Sequence, residues 1–111
     1  MAIKDITKVK KHLFLCAGGS CKLLGAEEST GAIRLAIAQR GLSDEIHTTK
    51  TLCNGRCKDG PIVIAQPDGI WFKKMVKEKA EFFVGEYLVR DSIPREDVLY
   101  EYGADVINTE R

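Results

Sequence analysis

Three features of the chain predict an α/β fold with the element order β-α-β-β-β-α and a mixed sheet. Two short runs, apolar at 12–15 and β-branched at 46–51, bracket a stretch whose apolar residues recur at helical spacing. A pair of apolar runs around a tight turn follows at 62–72. A second helical pattern occupies about 75–90. A strand, helix and strand joined in that order cross over with the two strands parallel. A hairpin adds antiparallel pairing, so the sheet is mixed.

His12, Leu13, Phe14 and Leu15 form the first strand and lead straight into Cys16. Ser29 or Thr30 is placed to cap the first helix, with Ala32, Ile33, Ala36 and Ile37 as its apolar stripe and Gly41 as its stop. The second strand ends just before Cys53. Asp59-Gly60-Pro61 is a turn, and Gln66-Pro67-Asp68-Gly69 turns the hairpin between Ile62-Val63-Ile64-Ala65 and Ile70-Trp71-Phe72. Val76, Ala80, Phe83, Val84, Tyr87 and Leu88 define the second helix. Residues 1–111 read as one domain, with a core at about 10–90 and a tail at 91–111 in which Pro94 opens or ends a short element. The last ten or so residues are expected to be mobile.

Composition excludes several classes. Seventeen basic and 16 acidic residues give a net charge of +1, which offers no global attraction for nucleic acid. The first residues, Met1-Ala2-Ile3-Lys4-Asp5-Ile6, contain no apolar secretory segment, and no apolar run is long enough to span a bilayer. The expectation is a cytoplasmic protein without a membrane partner. In that reducing compartment, paired cysteines read as metal or redox chemistry before disulfides.

The chemistry lies in the cysteines. All four fall into one pattern: Cys16 and Cys21 flank Ala17-Gly18-Gly19-Ser20, and Cys53 and Cys57 flank Asn54-Gly55-Arg56. Parallel strands end at the same sheet edge, so the two pairs, each following a strand, converge although 31 residues (22–52) separate them. One shared site for four thiolates suits a 2Fe-2S cluster or a structural zinc ion. Gaps of four and three residues lack the common C-x2-C zinc spacing, and no C-x-x-C redox dithiol is present. A zinc-stabilised interaction module and a thiol-disulfide redox protein remain the alternatives to an electron carrier. Gly18, Gly19 and Gly55 allow backbone to wrap closely around a cluster.

The segments Leu15-Cys16-Ala17-Gly18-Gly19-Ser20-Cys21 and Cys53-Asn54-Gly55-Arg56-Cys57, with the G-P-x-V-x-x-x-P-x-G-x-W stretch from Gly60 to Trp71, resemble the thioredoxin-like 2Fe-2S ferredoxins over about residues 10–90. That fold also serves as the cluster-bearing small subunit of respiratory complex I and related hydrogenases. The C-x4-C gap matches that subunit, but the subunit carries an N-terminal helical region, whereas Cys16 arrives early here. A free-standing ferredoxin fits better. Some small members are similar to proteins of anaerobic cobalamin synthesis, and no residue here selects that pathway. The resemblance implies a thioredoxin-like sheet flanked by helices, with Cys16, Cys21, Cys53 and Cys57 as ligands of one 2Fe-2S cluster. It also implies one-electron transfer with a redox partner and no enzymatic activity.

Lys22, Lys50, Arg56 and Lys58 lie within three residues of a cysteine. Lys22, Arg56 and Lys58 are expected to meet an acidic partner surface, the bland alternative being solvated loop charges. His12 and His47 read as structural or surface residues. Trp71 and Phe72 read as hairpin packing, and the acidic pairs Glu27-Glu28 and Glu96-Asp97 as solvated faces. A homodimer is expected through the segment 62–72 or the tail near 98–102, where Trp71, Tyr100 and Tyr102 supply apolar surface.

Overall fold

The computed structural model describes residues 4–18, 24–52, 55 and 57–108. Its strands are β1 (Lys11–Cys16), β2 (Ile46–Thr51), β3 (Val63–Gln66), β4 (Ile70–Phe72) and β5 (Val98–Glu101). They form a single sheet in the order β2-β1-β3-β4-β5. β1 and β2 are parallel, with Lys11 beside Ile46 and Cys16 beside Thr51. Every other pairing is antiparallel. The sheet is therefore mixed, as the crossover and hairpin require.

Strand alternation divides the apolar residues between two faces. Leu13, Leu15, Val63, Ala65, Ile70 and Phe72 share one buried cluster with α1 (Ala26–Gln39), through Ile33, Ala36 and Ile37, and with the C-terminal helical segment, through Ala80, Phe83, Val84 and Tyr87. Phe72 is fully buried and meets the rings of Phe83 and Tyr87 edge-on, at centroid distances of 4.9 and 5.0 Å. Full burial of such a side chain stabilises by about 1.5–3 kcal/mol, with aromatic pairing adding about 0.5–1.5. The opposite face carries Phe14, Cys16, Ile62, Ile64, Trp71, Leu99 and Tyr100, and among the described residues draws on α1 through Ala26.

The hairpin turn needs its glycine. Gly69 has φ +72°, and a Cβ there would sit 2.8 Å from the Cβ of Tyr102, whose N–H donates to the Gly69 carbonyl. Beside it, Lys11 Nζ donates to Asp68 at 2.7 Å and the Tyr87 hydroxyl donates to the same carboxylate. These two hydrogen bonds, that from Lys11 first, hold the Asp68 carboxyl below the ordinary carboxylate range. Burial, and then Asp68, push the Tyr87 phenol well above its ordinary value.

Several expectations change. Ser29 and Thr30 do not cap the first helix, which starts at Ala26 after Gly25 (φ +97°). The Ser29 N–H already donates to the Gly25 carbonyl, and its buried hydroxyl donates to the Met75 carbonyl. Glu27 and Glu28 are exposed, as a solvated face requires, and occupy the first turn, where carboxylates favour the positive end of the helix dipole, whereas Asp97, read with Glu96 as a solvated face, is buried and paired with Lys79 at 2.7 Å. The second helix does not run evenly from 75. A 3-10 turn (Lys77–Lys79) leads into α2 (Ala80–Phe83) and then a π-helical stretch (Val84–Val89). Met75 stays outside it because its N–H is held by the Pro61 carbonyl.

The tail supplies a fifth strand, giving β-α-β-β-β-α-β. After a 3-10 turn at Arg95–Asp97, β5 pairs with β4 through a register shift at Trp71/Phe72. Asn108 then folds back, its N–H donating to Leu99 O at 2.8 Å and its side-chain amide to Val98 O at 3.3 Å. The tail is thus tied down as far as 108, and residues 109–111 lie outside the described part. Finally, β3 and β4 are interior strands, so Val63, Ala65, Ile70 and Phe72 fill the monomer core and offer no surface to a second copy.

Candidate metal centre

Cys16 is the last residue of β1 and is 2% exposed. Three bonds place it: its N–H donates to Ile62 O at 3.0 Å, the Ala17 N–H donates to Thr51 O at 2.8 Å, and its Sγ lies 3.5 Å from Leu52 O. Leu52 immediately precedes Cys53. The parallel pairing therefore delivers the chain at Cys16 and the chain entering the second cysteine loop to one point of one edge. Ala26, 1% exposed at the start of α1, packs in the same cluster, where its small side chain lets the helix approach the strand end.

Gly55 is exposed at φ +88°, a conformation that would strain a side chain and that glycine adopts freely. Cys57 opens a one-turn 3-10 helix, Cys57–Asp59. That turn is pinned to the segment following β4: Lys74 N–H donates to Asp59 O at 2.8 Å, and Lys74 Nζ to Lys58 O at 3.3 Å. Cys21 and Cys53 lie outside the described residues, as do Lys22 and Arg56. Among the described residues, no three His, Cys, Asp or Glu side chains gather as a metal site. The residues present fit an iron–sulfur group. A buried thiol at a strand end, beside the start of a second cysteine loop, is a soft-donor site.

Of the basic residues, Lys58 is exposed, while Lys50 pairs with Glu27 at 2.9 Å, so its charge is offset locally. His12 and His47 are each the second residue of their strand, at the end opposite Cys16, with ring centroids 4.7 Å apart and His12 Nε2 2.7 Å from Thr49 Oγ1. Burial and then His47 push the His12 imidazole below its ordinary range. Neither histidine is at the cysteine edge, which supports their reading as structural residues. One residue escaped the sequence reading. Lys73, only 1% exposed, follows β4 at the cysteine end of the sheet. No local signal separates it from Lys74; its burial follows from the return of Asn108, whose carbonyl accepts from Lys73 Nζ at 2.8 Å.

No family model matches the chain. A Priestia megaterium protein whose name places it provisionally among the 2Fe-2S ferredoxins is 41% identical over 98 residues, 88% of this chain and 76% of its own. A 2Fe-2S ferredoxin of Aquifex aeolicus is 30% identical over 87 residues, 70% of this chain and 78% of its own. The solved structure of a thioredoxin-like 2Fe-2S ferredoxin from Aquifex aeolicus matches with a TM-score of 0.81 at 26% identity, covering 86% of this chain and 96% of that one. The class is a thioredoxin-like α/β protein with cysteine loops at the shared end of two parallel strands. The chain belongs to the thioredoxin-like 2Fe-2S ferredoxin family.

Proposed function

We propose that Cys16, Cys21, Cys53 and Cys57 hold one 2Fe-2S cluster, and that the chain is a one-electron carrier rather than an enzyme. The observation that carries this reading is the parallel register of β1 and β2, which sets Cys16 Sγ 3.5 Å from the carbonyl preceding Cys53. Bound there, the cluster supplies a one-electron couple. The chain's part is to fix the thiols at a rigid strand edge, with Cys16 withdrawn from water. Protein purified without oxygen should hold iron and acid-labile sulfide at about two each per chain. Zinc near one per chain would make it a zinc-stabilised module instead. Neither, with thiols that cycle, would make it a thiol redox protein. The cytosol is the compartment in which four such thiols persist, and among the described residues no helix is long and apolar enough to cross a membrane.

The partner is a redox protein with an acidic surface facing Lys22, Arg56 and Lys58. Arg56→Glu or Lys58→Glu should slow electron transfer about tenfold at low ionic strength and leave the visible spectrum intact. Added salt should erase the difference, since exposed charges are screened beyond about 8 Å at physiological ionic strength. A transfer rate indifferent to both charge reversal and salt would return these residues to ordinary loop charges.

A second copy of the chain is the occupant of the sheet face opposite the helices. With the hairpin's core residues consumed, the surface for it is half-buried Phe14, Trp71 and Tyr100, with exposed Tyr102 beside a groove of about 360 Å³. The described strand residues of this face (among them His12, His47, Thr49 and Ile64) include no lysine, arginine or carboxylate. Two copies related by a two-fold axis therefore meet without like-charge repulsion. Light scattering should give twice the 12.3 kDa chain mass at high micromolar concentration, and the single mass for Trp71→Glu.

A further inference from the structure

We infer that Lys74 is a positioning residue for the thiolate site, one that ties the Cys57 end of the second cysteine loop to the helix that follows the first. The inference rests on the cluster reading above. Lys74 has φ +49°, in the left-handed region that a side chain enters at a cost and glycine enters freely. Such a conformation persists where the surrounding structure fixes it, and it concentrates at functional sites. Asp91 shares it, but aspartate tolerates it through its short polar side chain. Lysine has no such excuse, and here the long side chain has a use: the half-buried Lys74 places Nζ 3.3 Å from the Lys58 carbonyl, one residue beyond Cys57.

The turn at Lys74 also redirects the end of β4. In extended backbone, successive N–H groups point to opposite sides. The Lys73 N–H points toward β5 and donates to Asp97 O at 2.8 Å; the Lys74 N–H points the other way and donates to Asp59 O at 2.8 Å. Regular alternation would return the Met75 N–H toward β5. The positive φ breaks that alternation, and the Met75 N–H donates instead to Pro61 O at 2.9 Å. Two consecutive N–H groups and one ammonium thus grip the carbonyls of Lys58, Asp59 and Pro61, in and just after the 3-10 turn that Cys57 opens.

The same two residues reach the other cysteine arm. The carbonyl of fully buried Met75 accepts the Ser29 hydroxyl, near the start of α1. That helix begins at Ala26, which packs in the cluster of Cys16 and follows Cys21 by five residues. Lys74 and Met75 therefore bridge the turn of one cysteine loop to the helix leaving the other. Four ligands on two loops hold one group only while the loops keep their spacing, and hydrogen bonds behind the ligands maintain it.

The test compares wild type, Lys74→Met, Lys74→Gly, Lys74→Arg and Lys77→Gln. Each is loaded with its cluster and mixed with an iron chelator under argon, and the loss of visible absorption is timed. The urea midpoint of each apo protein is measured alongside. Lys74→Met keeps the strained backbone and the apolar stem but loses the donor; Lys74→Gly relieves the strain as well. Both should lose absorption about three- to tenfold faster than wild type, the effect of one hydrogen bond behind a ligand. The apo midpoint should stay at the wild-type value for Lys74→Met and at or above it for Lys74→Gly. Lys74→Arg keeps a donor and should remain within about twofold of wild type, as should Lys77→Gln, an exposed lysine on the next turn. Failure of either neutral variant to assemble a cluster, with an unchanged apo midpoint, is the same result at greater strength. Wild-type release from either neutral variant would overturn the proposal, as would Lys74→Arg or Lys77→Gln releasing as fast as Lys74→Met. A lowered apo midpoint in Lys74→Met would assign Lys74 to folding and also overturn it. A wild-type protein without iron and sulfide defeats the underlying cluster reading instead, and is seen before any variant is made.

Discussion

Cys16→Ala is expected to abolish the visible absorption of the anaerobically purified protein and to remove its iron and acid-labile sulfide. Each iron of a 2Fe-2S cluster needs two terminal protein ligands, so losing one thiolate leaves an iron half held. The fold should survive the change. Cys16 sits at a strand end whose backbone bonds, from its N–H to Ile62 O and from Ala17 N–H to Thr51 O, do not involve the thiol. Alanine removes a single buried sulfur, and far-UV circular dichroism of the variant should match the apo wild type. The same loss is expected at Cys21, Cys53 and Cys57, with partial retention for Ser variants at the more exposed positions. Full absorbance in all four Ala variants would falsify the ligand assignment.

Phe72→Ala should remove about 3–5 kcal/mol of stability, the range for a truncated core phenylalanine that leaves a cavity. Small domains have only about 5–15 kcal/mol in total, so the variant should melt at least 10 °C lower. The cause is specific. Phe72 is fully buried, pairs with Val63 in the sheet and is the ring that both Phe83 and Tyr87 meet edge-on. Phe82, 56% exposed one residue before Phe83, is the control, and its replacement by Ala should change stability by about 0.5 kcal/mol or less. Equal losses for Phe72 and Phe82 in chemical denaturation would mean that the sheet-to-helix core is not where the stability resides. Because Val63 lies beside Leu15, the residue before Cys16, the Phe72 variant should also lose its cluster faster on mild heating.

What local chemistry decides was legible in the chain itself. Cysteine spacing marked the candidate thiolates. The strand, helix and strand before Cys53 required parallel pairing, and that pairing carries Cys16 to within reach of the second loop. Gln66-Pro67-Asp68-Gly69 announced its turn, since Gly69 needs both a positive φ and room beside Tyr102. Helical spacing of Val76, Ala80, Phe83, Val84 and Tyr87 named the core face correctly, although it could not resolve the succession of 3-10, α and π turns.

The remaining features depend on partners distant in sequence. Four residues, Val98–Glu101, become a strand only because β4 leaves an edge for them, and a register shift blurs even their alternation. Ser29 bonds to Met75 instead of capping, a contact across 46 residues. Alternation showed that Trp71 and Phe72 point opposite ways, but only the packing of both helical segments on one face made Phe72 core and left Trp71 half-buried. Lys73 is the sharpest case. Nothing local distinguishes it from Lys74, and its burial follows from the return of Asn108 to β5, which shields one lysine and leaves the other reaching a loop carbonyl. Sequence thus named the proposed donors and required the parallel pairing of β1 and β2. Tertiary closure determined which side chains are withdrawn from water, because desolvation is a property of the surrounding packing and not of the residue.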